Sequence, residues 1–388
     1  MRLNALFLLL TFSIVSLSAQ QFKLSPSAEV SVLTVGSGES LNDAFGHNAF
    51  RIKDRTLGVD IVYGYGEYDF GAPNFYLKFA RGKLNYLISR DSFRDFYNHY
   101  LYYNRTIEEQ VLNLSPEQKQ RLFDYLENNY KPENRRYLYD FFYDNCATRI
   151  RDVSEIATNS SIQFDTPKNF ESKTFRELIH EHVKLNSWGS FGIDIALGSV
   201  VDKEATPREF MFLPKYIHEF FENAKINNSD DLVKYSSVVL QKKPSNSSSN
   251  FLLSPLMIVG IISIVILYIT YKDFKTEKRS RWLDIILFSI TGIIGIILLL
   301  LWFATDHTAT AQNYNLLWAF PLNLFVIGAI VKNKQKNWVK SYIKFLIIML
   351  CLMTLHWIIG IQAFTIGLIP LIIALLVRYV YLLKCLNS

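Results

Sequence analysis

A histidine in "FGHNAFRI" (His47) and a cysteine in "YDNCATRIRD" (Cys146) are the residue types of a thiol nucleophile and its general base. In that chemistry the imidazole takes the thiol proton, the sulfur attacks an acyl carbon, and the acyl group rests on the protein as a thioester. Cys146 follows Asp144 and Asn145, both good helix N-caps, so a helix beginning there places the sulfur in its first turn. Unpaired N–H groups and the positive end of the helix dipole favour an anion at that place. The same groups lower a thiol pKa and can receive the oxygen of a tetrahedral intermediate. His47 starts a strand after Gly46, and Asp69, at the end of the next strand, is the candidate for orienting the imidazole. Arg149 and Asp152, one and two turns into the helix, are expected to form structural pairs. Taken singly, a strand histidine is more often structural and a lone cysteine is often core; only their meeting makes a site.

The chain that must bring them together has 388 residues, of which 50% are hydrophobic, and a mean hydropathy of +0.12. The apolar excess is concentrated in 1–19 and 251–385. "MRLNALFLLLTFSIVSLSAQQ" has the charge–apolar–small order of a secretory signal peptide, expected to end near Ala19. Of the three cysteines, Cys351 and Cys385 fall in or beside apolar runs, so the exported segment owns only Cys146 and cannot form an internal disulfide.

After the Ser/Asn-rich linker "QKKPSNSSSN" (241–250), apolar stretches at 251–271, 282–303, 314–331, 343–361 and 363–383 predict five membrane spans within 251–388. The segments 271–281 and 331–340 hold five and four Lys/Arg, whereas 305–315 holds none. By the positive-inside rule the basic loops are cytoplasmic and 305–315 faces out, on the same side as residues 20–240. The net charge of +6 therefore reflects topology, and no nucleic-acid partner is expected.

Within 20–240, "EVSVLTVG", "HNAFRIKD" and "GVDIVYGYGEYDF" read as strands, with "RTLG" as the turn between the last two. "SPEQKQRLFDYLENNY" (115–130) is a helix with Ser115 as cap, Pro116 in the first turn and Gln118 at capping-box spacing. The predicted class is α+β, a small antiparallel sheet with helices against it, followed by a helical membrane domain.

The stretches "FGHNAFRI", "YGEYDFGAPNFYLKFARGKLNYL", "YDFFYDNCATRIRD" and "DIALGSVVDKEATPREFMFLPKYI" together resemble the periplasmic domain of the Bacteroides-type lipoprotein N-acyltransferases, the Lnb family. The outward "DHTATAQNYNLLWAFPLNL" resembles that family's membrane half, so the likeness covers about 30–380. Behind it stands a broader similarity to the circularly permuted papain-like, NlpC/P60-type thiol enzymes, in which His precedes Cys along the chain. The resemblance implies transfer of a fatty acyl chain from a phospholipid, through a Cys146 thioester, to the N-terminal amine of diacylglyceryl-cysteine lipoproteins, with His47 as base. One departure is Gly64, where family members often carry Asn.

The outward residues His307, Asn313 and Asn315 are candidates for holding a lipid headgroup, with His356 a weaker one near the outer end of the fourth span. The aromatic stretches 74–87 and 93–104 suit either an acyl channel or the headgroup layer. No metal-ligand spacing and no Gly-rich phosphate loop is present, so neither metal nor nucleotide cofactor is expected. Two other readings use the same residues: a membrane-anchored NlpC/P60-like peptidoglycan peptidase or amidase, and a non-catalytic envelope scaffold.

Overall fold

The computed structural model describes residues 22–227, 229–244, 250–332 and 337–385. The expected signal peptide and residues 245–249 of the linker lie outside them. A seven-stranded antiparallel sheet organises the first half. In chain order its strands are β1 (Glu29–Val35), β2 (His47–Asp54), β3 (Val59–Tyr68), β4 (Asn85–Ser92), β5 (Ile107–Leu112), β6 (Arg136–Leu138) and a late strand, Val233–Leu240. In space they run Val233–Leu240, β5, β1, β2, β3, β4, β6.

β1 lies inside the sheet and feeds two cores. Val30 and Val32 pack beneath one set of helices, while Leu33 and Val35 join Tyr100 of the helix Phe93–Tyr102 on the other face. A strand covered on both faces carries apolar residues on both, which is why "EVSVLTV" alternates so weakly. The helices Pro116–Tyr130 and Cys146–Ala157 share the first core through Leu122, Leu126, Ile150 and Val153. The capping box expected at Ser115 is present: Gln118 N donates to Ser115 Oγ at 3.3 Å and Ser115 N to Gln118 Oε1 at 2.8 Å. The class is α+β, followed by a helical membrane half.

Among the described residues, four helices are long and apolar enough to cross a bilayer: Pro255–Thr276, Arg281–Phe303, Asn337–Ile358 and Ile366–Cys385. The stretch expected as a further continuous span, 314–331, is instead a 3-10 turn over Tyr314–Leu317 and an eight-residue helix, Asn323–Ile330. Eight residues rise only ~12 Å. Pro321 breaks the run, since it has no N–H to donate and biases the preceding residue away from helix. The broken segment lies hard against the second long helix, where a Cβ on Gly295 would sit 2.2 Å from Ala319 O. Its polar groups are satisfied inside the protein, as irregular backbone at membrane depth requires. Asn323 donates to Thr291 Oγ1 at 2.8 Å and accepts from Tyr342 at 2.6 Å.

At one end of the bundle Arg378 binds Asp273 and Asp284, each at 2.7 Å, which gathers the basic 271–281 loop and the last helix on one side. At the other end the uncharged-by-Lys/Arg loop 305–315 meets the first domain. Gly198 N donates to Ala309 O at 2.9 Å and Ser199 N to Gln312 O at 3.0 Å. A Cβ on Gly198 would fall 1.7 Å from Ala311 O, so no other residue admits this approach.

Candidate active site

Cys146 is the first residue of its helix, and Asn145 is the cap. Asn145 is buried and fully used: Oδ1 accepts from Ala147 N (2.8 Å) and Thr148 N (2.9 Å), while Nδ2 donates to Phe141 O (2.6 Å) and Phe212 O (2.8 Å). The cap thus fixes the sulfur's position and also occupies two of the free N–H groups at the helix start. The β2–β3 ladder ends at Ala49↔Gly64, one residue short of Asn48. The Asn48 N–H bears on the Cys146 sulfur together with the N–H groups of Ala147 and Cys146 itself.

His47 is therefore the residue next to a donor that faces the sulfur, and Arg105 acts electrostatically on both groups. Gly46, at φ +85°, turns the chain into β2 with Val35 O only 2.6 Å from where a Cβ would be. The imidazole lies across Gly64: a Cβ there would be 3.2 Å from His47 Nε2 and 3.1 Å from Ser89 Oγ. The position at which the family resemblance expects Asn does face the imidazole, but glycine leaves it without an orienting side chain.

Burial sets the protonation states. It lowers the His47 pKa to about 4, helped by the positive charge of Arg105. It raises the Cys146 pKa, against the pull of the three N–H groups and Arg105. The expectation that the helix terminus lowers the thiol pKa is not met: desolvation outweighs a terminus whose cap already holds two of its donors. Burial thus favours the neutral form of both the Cys146 thiol and the His47 imidazole.

Arg105 was not foreseen from sequence. Its Nε donates to Gly36 O at 2.9 Å, its guanidinium lies 5.0 Å from the Tyr100 ring centre, and its buried Nη2 has no partner among the described residues. "YYNRTI" gives no hint of this, because the placement comes from β5 pairing with β1.

The other expected site residues lie elsewhere. Asp69 pairs with Arg136 at 3.0 Å rather than with His47. Asn313 and Asn315 are buried structural clamps. Asn313 donates to Ile195 O (2.8 Å) and Ala196 O (3.0 Å), and Asn315 to Asp194 O (3.0 Å). These are last-turn carbonyls of the helix Trp188–Ala196, the groups a helix cannot satisfy itself. With those amides committed, no headgroup role is left to them. His356 packs on Tyr314, ring centres 4.5 Å apart. Arg149 pairs with Asp144, and Asp152 with Arg151 and Arg208, as structural pairs.

His307 does border open space. It lines a cavity of about 550 Å³ between the two halves, with Phe79, Gly82, Tyr86, Tyr139 and Phe141. Phe141 and Phe45, also in the lining, meet edge-on at 4.9 Å, and Phe45 precedes His47 by two residues. Tyr139 lies within the electrostatic reach of Cys146. The cavity thus extends from Phe45, two residues before His47, to the outer membrane loop at Asp306–Ala309, and its volume suits a chain-like apolar ligand. A groove of about 610 Å³ near Lys173, Lys215 and Glu219 includes none of the residues around Cys146.

Two family models match the chain: one described as the Lnb N-terminal periplasmic domain, over residues 18–181, and one described as the Lnb transmembrane domain, over 246–387. No curated protein and no solved structure matches. A periplasmic domain followed by a multi-pass bundle places the chain in the inner membrane, with Cys146 on the periplasmic side.

Proposed function

Because the chain belongs to the Lnb family, both of whose domains it carries in order, we propose that it is a lipoprotein N-acyltransferase acting through Cys146 and His47. The donor is a membrane phospholipid and the acceptor is the N-terminal α-amine of a diacylglyceryl-cysteine lipoprotein. His47 takes the thiol proton as the sulfur attacks the donor's ester carbonyl. The Cys146 and Asn48 N–H groups, which the cap leaves over, are the donors for the tetrahedral oxygen. The carbon–oxygen bond breaks, His47 returns the proton to the leaving glycerol oxygen, and a lysophospholipid departs. The incoming amine then attacks the thioester, His47 accepts the proton it sheds, and the thiol is regenerated as the amide forms.

The observation that supports this reading is a capped, helix-first cysteine facing the N–H of Asn48, the residue after His47, together with a largely apolar cavity bordered by the outer membrane loop. A peptidase acting on cell-wall peptides gives neither the cavity nor the docked bundle a task. The test is mass spectrometry of lipoprotein N-termini from cells carrying the unaltered protein, Cys146→Ala, His47→Ala or none. N-acylation should require both residues; normal N-acylation in either variant, with no redundant transferase present, removes the proposal.

A further inference from the structure

Residues 70–83 expose an apolar surface that none of the other described residues covers. The helix Phe75–Ala80 buries none of its residues, and Tyr76 is 82% exposed, Phe70 73% and Leu77 58%. Clusters of that kind mark a surface that meets something apolar. The structure says what. Asp306 N donates to Arg81 O at 2.9 Å and His307 Nε2 to Ala80 O at 3.2 Å. Asp306 lies just beyond Phe303, the outer end of a membrane-crossing helix, so the segment is level with the edge of the hydrocarbon. Lys78, Arg81 and Lys83 stand among these aromatics, the mixture found where side chains meet both headgroups and acyl chains. Phe79 and Gly82 also line the cavity that His307 borders.

We propose that residues 70–83 lie in the outer leaflet and form the opening through which an acyl chain of a bilayer phospholipid slides sideways into the cavity. The placement stands on geometry alone; only the later fate of the chain rests on the acyltransferase reading.

The test uses the full chain in phospholipid nanodiscs. A nitroxide is attached at Tyr76→Cys, or at Leu57→Cys as reference, with Cys146, Cys351 and Cys385 changed to Ser. Leu57 is 46% exposed in the turn before β3, and that ten-residue strand puts it ~33 Å from the Tyr68 end. Oxygen should relax the label at 76 at least fivefold more, relative to a water-soluble nickel chelate, than the label at 57. Equal ratios place the segment in water and overturn the proposal.

A phosphatidylethanolamine bearing a diazirine on its acyl tail should photolabel peptides spanning 79–86 and 139–142. Tyr76→Glu with Leu77→Glu should cut that labelling about tenfold while iodoacetamide still alkylates Cys146 within twofold of the unaltered rate. Undiminished labelling overturns the opening. If alkylation fails as well, the nitroxide at 76 decides alone. Neither measurement needs turnover, so a chain that transfers no acyl group would count against the proposed function and leave this placement standing.

Discussion

Two clusters of buried polar side chains differ in how completely they are bonded. In the joint between the halves, Arg176 gives Nε and Nη2 to Asp202 (2.8 and 3.0 Å), Nη1 to Asp194 (3.0 Å) and Nη2 also to Gly198 O (3.0 Å). His180 Nε2 meets Asp194 Oδ1 at 2.9 Å, a better-made His–carboxylate pair than His47 possesses. Around Cys146 the accounts stay open: Arg105 Nη2, Asn48 Oδ1 and Asp43 Oδ1 are buried without a partner among the described residues. A satisfied network fixes one geometry, whereas buried polar atoms left over call for a ligand or a mechanism. A triad sought by bond quality alone would land on His180 rather than on His47.

The sharpest break between the two regions is chemical. Cys146→Ala should lower acyl transfer by on the order of 10³-fold or more, while stability shifts by no more than about 1 kcal/mol. Retained transfer, measured as thioester-dependent N-acylation in vesicles, would move the nucleophile elsewhere. Arg176→Ala should do the reverse. It strands Asp194 and Asp202 in a buried site, which costs about 3–5 kcal/mol, read as a lowered unfolding midpoint and faster proteolysis between the halves. Acylation per folded molecule should change far less. Equal loss of both properties in both variants erases the distinction.

What was legible in the sequence is what local rules decide. Ser115, Asn145 and the strand-forming run of β2 are set within a few residues, so caps, strands and the Cys146 helix could be read directly. The orientation of the bundle follows from Lys/Arg counts in the same way. What could not be read depends on partners far along the chain. Arg105 reaches the site because β5 lies beside β1, and the cavity is assembled from segments around Phe45, Phe79, Tyr139 and His307. The amides of Asn313 and Asn315 look the same in sequence whether they bind a headgroup or a helix end. Pro321 was legible as a breaker, but an apolar run of spanning length masked it.

A smaller change probes how far glycine at 64 sets the imidazole. In Gly64→Ala the new methyl would be 3.2 Å from His47 Nε2 and 3.1 Å from Ser89 Oγ, so ring or hydroxyl must give way by a few tenths of an ångström. A general base misplaced on that scale should slow thioester formation about tenfold. Thermal stability should change little, since an adjustment of a few tenths of an ångström relieves both contacts. A rate equal to that of the unaltered protein would mean the imidazole is not held against position 64 during the reaction.

The finest test concerns Arg105, whose buried Nη2 has no partner among the described residues. Above about pH 4 His47 is neutral and competent as a base, so thioester formation should be lost only as pH falls through that value. Free cysteine titrates near ~8.5; with burial raising the Cys146 pKa, alkylation by iodoacetamide should still climb above that point. A preformed thiolate–imidazolium pair would instead give a plateau near neutrality. Arg105 lowers both pKa values, so Arg105→Gln should raise both: the acid limb of thioester formation moves up from about 4, and the alkylation limb moves further into the alkaline range. At fixed pH 8 the cost should be only a few-fold, and Arg105→Lys, which keeps the charge, should shift the limbs less. Limbs that stay in place in Arg105→Gln would show that the free Nη2 is not felt at the thiol or the imidazole, and that its vacancy belongs to packing rather than to the site.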